Sequence, residues 1–141
     1  MTNLSVLFLC TGNSCRSQMA EAFTNQQRGE QWTAYSAGTN PAGYVHPKAV
    51  QVLEEIGIEH QGESKNVDQF RDHDFDLVIT VCDGAAEECP LWLGKGEVIH
   101  VGFEDPAEAE GSDQEVLAVF RKVRDQIEKD IIQALDAFQQ N

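Results

Sequence analysis

An eight-residue turn, 10–17 with the sequence CTGNSCRS, constrains the fold more than any other part of the chain. The apolar run before it predicts a short buried strand over residues 5–9. The residues after it favour a helix over 17–28, which Gly29 would end. A cysteine therefore follows a predicted strand, and Arg16 lies six residues further on, where the helix begins. This arrangement suits the binding of an oxyanion and its attack by sulfur.

The rest of the chain alternates between predicted strands and helices. Strands are expected over 32–36, 76–81 and 97–101, and helices over 47–56, 67–71 and from 112 almost to the end. Apolar residues recur at three- and four-residue spacing in the last helix and form one stripe: Val116, Phe120, Val123, Ile127, Ile131, Leu135 and Phe138. The alternation predicts an α/β fold, a single-domain three-layer sandwich with a four-stranded parallel sheet, over residues 1–141.

Three chemically active residues are expected at one edge of this sheet. Cys10 and Cys82 each follow a predicted buried strand, and Asp105 follows the last strand. Ligands of open parallel sheets bind beyond the carboxyl ends of the strands. The topology therefore predicts that these residues share one site, although they are far apart in the sequence.

The charge of the chain limits its partners. It carries 24 acidic against 10 basic residues, a formal net charge of −14. Nucleic acid and anionic membranes would be repelled, so an anion site must be local. With no apolar run of membrane-spanning length and no basic, apolar leader, we expect a cytoplasmic protein with reduced cysteines. The acidic surface favours a monomer.

The turn has the groups that an oxyanion site needs. A helix N-terminus, the Arg16 charge and a hydroxyl from Ser14 or Ser17 would favour the thiolate of Cys10. Backbone N–H groups can form a nest for a tetrahedral anion, and the guanidinium can hold two of its oxygens. The predicted oxyanion-binding residues are Thr11, Gly12, Asn13, Ser14, Cys15, Arg16 and Ser17. The alternative is a buried cysteine beside a solvated arginine.

The sequence alone leaves more than one role open for Asp105 and for the two later cysteines. Asp105 precedes a proline, which is typical of a turn, but beside a nucleophile it could protonate a leaving oxygen. Cys82 and Cys89 could be zinc ligands, core residues or a dithiol that closes to a disulfide near Cys10. Zinc is disfavoured because no histidine or second cysteine pair has suitable spacing. Cys15 is expected to point away from the site and pack.

Taken together, these motifs resemble those of a known protein family. The stretch CTGNSCRS followed by QMAEAF resembles the phosphate loop and first helix of the low-molecular-weight tyrosine phosphatase fold. The whole chain is similar to the thioredoxin-coupled arsenate reductases of that fold, through residues 35–38, 46–49, 81–82, 89–90 and 102–106. The outlying pair Cys82 and Cys89 is the more specific part of this similarity.

The resemblance implies a three-cysteine relay without an organic cofactor. Cys10 would attack arsenate, with Asp105 protonating the departing hydroxide. Cys82 would then attack Cys10 and expel arsenite, and Cys89 would attack Cys82. Thioredoxin would reduce the resulting disulfide between Cys82 and Cys89. The loop that carries Cys82 and Cys89 would have to rearrange between the Cys10–Cys82 and Cys82–Cys89 disulfides, because a disulfide forms only within a small range of distances and angles.

Some members of this family bind potassium near the phosphate loop. The matching positions are Asn13, Glu21, Ser36 and Asn66, and the family pattern has an aspartate at the last of them. Because Asn66 removes a negative charge and Lys65 adds a positive one, we expect no metal here. Our hypothesis is that Lys65 takes the place of the ion.

Two other functions use the same residues. A tyrosine phosphatase would need Cys10, Arg16 and Asp105 only, but Ala107 stands where such enzymes usually have an aromatic residue. A non-enzymatic oxyanion or thiol redox sensor would use the loop and a disulfide without turnover.

Overall fold

Four parallel strands form the centre of the computed structural model, which describes residues 3–83, 92, 94 and 96–139. Within these residues the strands are β1 Leu4–Cys10, β2 Trp32–Gly38, β3 Leu77–Thr80 and β4 Glu97–His100. Their order across the sheet is β2-β1-β3-β4, and every neighbouring pair is parallel. The predicted four-stranded parallel sheet is confirmed.

The register of the sheet brings the carboxyl ends of its central strands together. Cys10 lies opposite Gly38 at the end of the β1–β2 pair, and Leu9 lies opposite Thr80 in the β1–β3 pair. The N–H of Val81 donates to the carbonyl of Leu9 over 2.9 Å, which continues the pairing beyond β3. The residues that follow β1 and β3 therefore start from adjacent positions on one edge.

Three α-helices cover one face of the sheet: α1 Arg16–Gln27, α2 Pro47–Glu54 and α3 Asp113–Gln139. They share a hydrophobic cluster with side chains from alternate positions of β1 and β3, such as Phe8 and Ile79. Two short 3₁₀ helices, Val67–Phe70 and Pro106–Glu108, lie in the connections. Alternation along the strands explains why one face of the sheet packs against all three helices.

The opposite face carries a second, smaller cluster. It contains the other alternate strand residues, Leu7, Leu9 and Val78, together with residues of the connections, among them Phe75 and Trp92. Aromatic rings meet edge to face here, with 5.8 Å between the centroids of Phe75 and Trp92. The sheet is thus the middle of three layers.

The apolar stripe of α3 is confirmed in five of its seven members. Val116 and Phe138 are only partly buried, whereas Leu117 is buried without having been predicted. Arg124 is also buried, with 8% of its surface exposed, because it forms hydrogen bonds to α2. No helix in the described part of the chain has the length and apolar character needed to span a membrane.

Candidate active site

The turn after β1 has a tightly constrained backbone. Asn13 has a φ of 47°, a left-handed conformation that asparagine tolerates better than most residues. The end of β2 approaches the turn so closely that a Cβ on Gly38 would lie 2.3 Å from the carbonyl oxygen of Thr11. Only glycine fits at this position.

Carbonyl groups of the loop are held from outside. The carbonyls of Thr11 and Gly12 accept hydrogen bonds from the N–H groups of Asn40 and Ala42, each at 2.9 Å. Two further loop carbonyls accept from outside: that of Asn13 from the Gln18 amide and that of Ser14 from the His46 N–H. Because C=O and N–H point in opposite directions across a trans peptide, the amides that follow these carbonyls face the loop interior. Amides arranged in this way form a nest that can hold an oxyanion.

Cys10 lies at the base of this nest. Its side chain is 2% exposed, and its Sγ accepts a hydrogen bond from the Asn13 N–H at 3.2 Å. The Oγ of Ser17 lies 2.9 Å from the same sulfur. Helix α1 begins at Arg16, so the positive end of its dipole also faces the loop. The Asn13 N–H and the helix dipole both favour negative charge on the sulfur.

Arg16 and Asp105 meet beside the loop. Arg16 is 3% exposed, and its Nη1 donates to the main-chain carbonyl of Phe103 over 3.2 Å. Its Nη2 lies 3.6 Å from Oδ2 of Asp105. The other carboxylate oxygen of Asp105 accepts the N–H of Ala107 at 3.0 Å. Asp105 is thus oriented by two contacts, and its side chain remains 28% exposed.

The remaining cysteines have different environments. Cys82 follows β3, is completely buried and is disulfide-bonded, whereas Cys10 and Cys15 are free. Cys15 is 4% exposed and belongs to the hydrophobic cluster of the helical face, so the prediction that it packs is confirmed. Burial, with a smaller contribution from Asp105, raises the pKa of Cys15 to about 12. Cys89 lies outside the described residues.

A family model named Low molecular weight phosphotyrosine protein phosphatase matches residues 5–141. The chain belongs to this family. Among curated members, it is 48% identical over 132 residues to the arsenate reductase of Halalkalibacterium halodurans, covering 93% of this chain and 94% of that protein.

Solved structures of the family include both kinds of enzyme. An arsenate reductase in the phosphate-binding state has a TM-score of 0.75 and 31% identity, over 95% of this chain and 98% of its own. A low-molecular-weight protein tyrosine phosphatase from T. tengcongensis has a TM-score of 0.73 and 25% identity, over 96% and 99%. The phosphatase fold predicted from sequence is confirmed.

At the positions where the resemblance suggested potassium, side-chain oxygens accept hydrogen bonds from protein groups. The Oδ1 of Asn13 already accepts the main-chain N–H of Lys65 and the Gln18 amide, at 2.8 and 3.0 Å. The Oδ1 of Asn66 accepts the N–H of Asp68. Among the residues that the structure describes, no three His, Cys, Asp or Glu side chains form a metal-binding group.

Glu21 is the charged member of this set. The hydroxyl of Ser36 donates to its Oε1 over 2.9 Å. Burial raises the pKa of Glu21, and the positive charge of Lys65 opposes that shift. Lys65 therefore supplies positive charge near this partly buried carboxylate, which is consistent with the hypothesis that it replaces an ion.

Sequence reasoning missed several residues that hold the site of this family member together. Gln18 is completely buried and bonds to the loop, and the main-chain carbonyl of Phe103 anchors Arg16. Gly38 permits the close approach of β2. His60 has a structural contact with the same Gln18 side chain. Main-chain partners and buried amides leave no pattern in the sequence, whereas the glycine two residues after Ser36 was available as a signal.

Proposed function

We propose that this protein reduces arsenate to arsenite with electrons from its own cysteines. The main support is the different states of two cysteines at the same edge of the sheet. Cys10 is a free thiol in the anion nest, whereas Cys82, which follows the adjacent strand, is disulfide-bonded. A phosphatase has no need of the second cysteine. The arsenate reductase of H. halodurans, similar over almost the whole chain, supports the same substrate.

The first step is attack on arsenic. The Cys10 thiolate displaces one oxygen from arsenate, and Asp105 supplies the proton with which that oxygen leaves. The loop amides and Arg16 hold the remaining oxygens and stabilise their charge. The product is a covalent adduct between Cys10 and As(V).

The second step transfers the electrons. The Cys82 thiolate attacks the sulfur of Cys10, and the pair of the sulfur–arsenic bond passes to arsenic, which leaves as As(III). Cys89 then attacks Cys82 and releases Cys10 as a thiolate. Thioredoxin, a dithiol, reduces the disulfide of Cys82 and Cys89, so two electrons are supplied for each arsenate.

We also infer that the relay operates in the cytoplasm, in a one-domain monomer. A reaction that runs on thiolates needs a compartment in which cysteines are kept reduced. The family model covers residues 5–141, which supports one domain.

Counting arsenite per chain tests the relay. Reduced protein is mixed with arsenate, with and without thioredoxin, its reductase and NADPH. We expect sustained NADPH oxidation by the wild type, one arsenite per chain from Cys89→Ser, and none from Cys82→Ser. Sustained thioredoxin-driven turnover by Cys89→Ser would overturn the relay. Absence of arsenite from the wild type would favour a redox sensor.

Hydrolysis of aryl phosphates is the second activity that the family membership supports. Phosphate and arsenate have the same shape and charge, so the nest should also accept phosphate esters. Ala107 offers no ring to pack against a phenyl group, and we therefore expect kcat/KM for p-nitrophenyl phosphate to be far below that for arsenate. The reverse order would make phosphatase the main activity.

A further inference from the structure

A continuous chain of side-chain hydrogen bonds runs behind the phosphate loop to the sulfur of Cys10. The Nε2 of His60 lies 2.7 Å from Oε1 of Gln18, whose Nε2 is 3.0 Å from Oδ1 of Asn13. The Nδ2 of Asn13 is 2.8 Å from Oγ of Ser17, which is 2.9 Å from the sulfur of Cys10. The three middle residues are completely buried, so water does not compete for these bonds.

The orientation of the Gln18 amide is fixed by main-chain carbonyls. Its Nε2 lies 3.1 Å from the carbonyl oxygen of Asn13 and 2.8 Å from that of Glu63. Carbonyl oxygens only accept, so the NH₂ group must face them. Its Oε1 is thereby directed to His60, and the proton of that imidazole must be on Nε2.

The orientation of the Asn13 amide is set by two donors, the main-chain N–H of Lys65 and the side chain of Gln18. Both donate to Oδ1 of Asn13, so its NH₂ group must face Ser17. Ser17 then accepts an N–H, and its only proton is left for the sulfur of Cys10.

We propose that Gln18 is a positioning residue, which acts together with the main-chain N–H of Lys65 to hold the Asn13 amide so that the Ser17 hydroxyl donates to Cys10. A reversed Asn13 amide would draw the hydroxyl proton to its own oxygen and leave the sulfur without this bond. Amide groups do not relay protons. This series of hydrogen bonds therefore fixes which way each group donates, and it does not carry protons to Cys10. The inference deepens the proposed function, because it identifies what prepares the attacking thiolate.

Two substitutions at Gln18 test the proposal. Gln18→Met removes the amide donor and keeps a side chain of similar size. Gln18→Glu places a carboxylate oxygen against the main-chain carbonyls of Asn13 and Glu63 and against Oδ1 of Asn13. Alkylation of Cys10 by iodoacetamide is measured from pH 5 to 9 by tandem mass spectrometry, because Cys10 and Cys15 share one tryptic peptide. We expect the rate at pH 7 to fall about tenfold, as for loss of one hydrogen bond to charged sulfur, and the profile to move to higher pH.

Two controls separate positioning from folding. Gln26→Met and Gln26→Glu make the same changes at an exposed position of α1 and should leave the profile unchanged. In a Ser17→Ala background, Gln18→Met should have no further effect, since the proposed influence passes through Ser17. Melting temperatures are recorded for every variant, and if Gln18→Glu does not fold, Gln18→Met carries the test.

The outcomes are distinct. An unchanged profile in folded Gln18→Met, or equal effects with and without the Ser17 hydroxyl, would overturn the positioning role. The alkylation assay contains no arsenate. A shifted profile in a protein that releases no arsenite would therefore support the positioning role and refute only the proposed function.

Discussion

At the scale of single residues, two adjacent carboxylates offer a matched comparison. Asp105 lies 3.6 Å from Arg16, whereas Glu104 pairs with Lys122 at the surface, 3.1 Å apart. We expect Asp105→Asn to lower kcat for arsenate by about 10²–10³-fold, because an amide cannot supply the proton to the leaving oxygen. Glu104→Gln makes the same chemical change next to it and should act like the wild type. Steady-state assays of both variants check this.

The contrast between these two variants decides the role of Asp105. If both variants lose activity equally, the loss comes from a disturbed conformation of the loop that carries residues 104 and 105, and not from a missing proton donor. If neither does, water or another group protonates the oxygen.

Cys15 provides a second test at this scale. Its pKa of about 12 means that almost none of it is ionised at neutral pH. We expect iodoacetamide at pH 7.5 to modify Cys10 at least about a hundredfold faster than Cys15, since the thiolate is the reactive form. In guanidinium chloride the two rates should converge. Equal rates in the folded protein would contradict the protected position of Cys15.

At the scale of elements, Arg124 connects α3 to α2. Its Nη1 donates to the main-chain carbonyl of Val52 over 2.9 Å and to Oε1 of Glu55 over 3.0 Å. The side chain is 10% exposed, so Arg124→Met leaves a carbonyl without its donor. We expect the free energy of unfolding to fall by about 2 kcal/mol, measured by urea denaturation.

Arg121 is the matched control for Arg124. It binds the same Glu55 carboxylate over 2.7 Å, but its side chain is 40% exposed. Exposed ion pairs contribute little, so Arg121→Met should cost clearly less stability than Arg124→Met. Equal losses would mean that the ion pair, and not the buried carbonyl, stabilises the helix contact.

Arg124 also illustrates what the sequence could and could not predict. Spacing predicted the stripe of α3, yet a buried arginine in it depends on a carbonyl of another helix, which no spacing reveals. Likewise β2 continues to Gly38, beyond the predicted residue 36, because it pairs with Cys10. The strands and the loop carry local signals and were predicted. The hydrogen-bond partners come from distant segments and were not.

At the scale of the whole molecule, the net charge of −14 opposes the approach of arsenate, itself an anion. Salt screens this repulsion, since the Debye length falls from about 30 Å at ~0.01 M to about 8 Å at ~0.15 M. We expect kcat/KM for arsenate to rise a few-fold over that range. On the hypothesis that Lys65 takes the place of a potassium ion, KCl and NaCl should act alike.

Comparison of the two salts separates screening from specific binding. A larger gain in KCl than in NaCl would indicate a potassium site and remove the substitute role of Lys65. Alkylation of Cys10 by iodoacetamide, which is uncharged, should not respond to either salt. If salt changed the alkylation rate, it would be acting on the conformation of the loop around Cys10 and not on the approach of the anion.

The two faces of the sheet each contain one of the two tryptophans of the chain. Trp32 packs against Phe138 under the helices, with 5.6 Å between ring centroids, and Trp92 packs against Phe75 on the other side. Trp92 also follows the segment that includes Cys89. In a Trp32→Phe protein, excitation at wavelengths that tyrosine does not absorb would give emission from Trp92 alone. Stopped-flow fluorescence could then time the oxidation of the cysteines before it, in an unlabelled enzyme and within a single turnover.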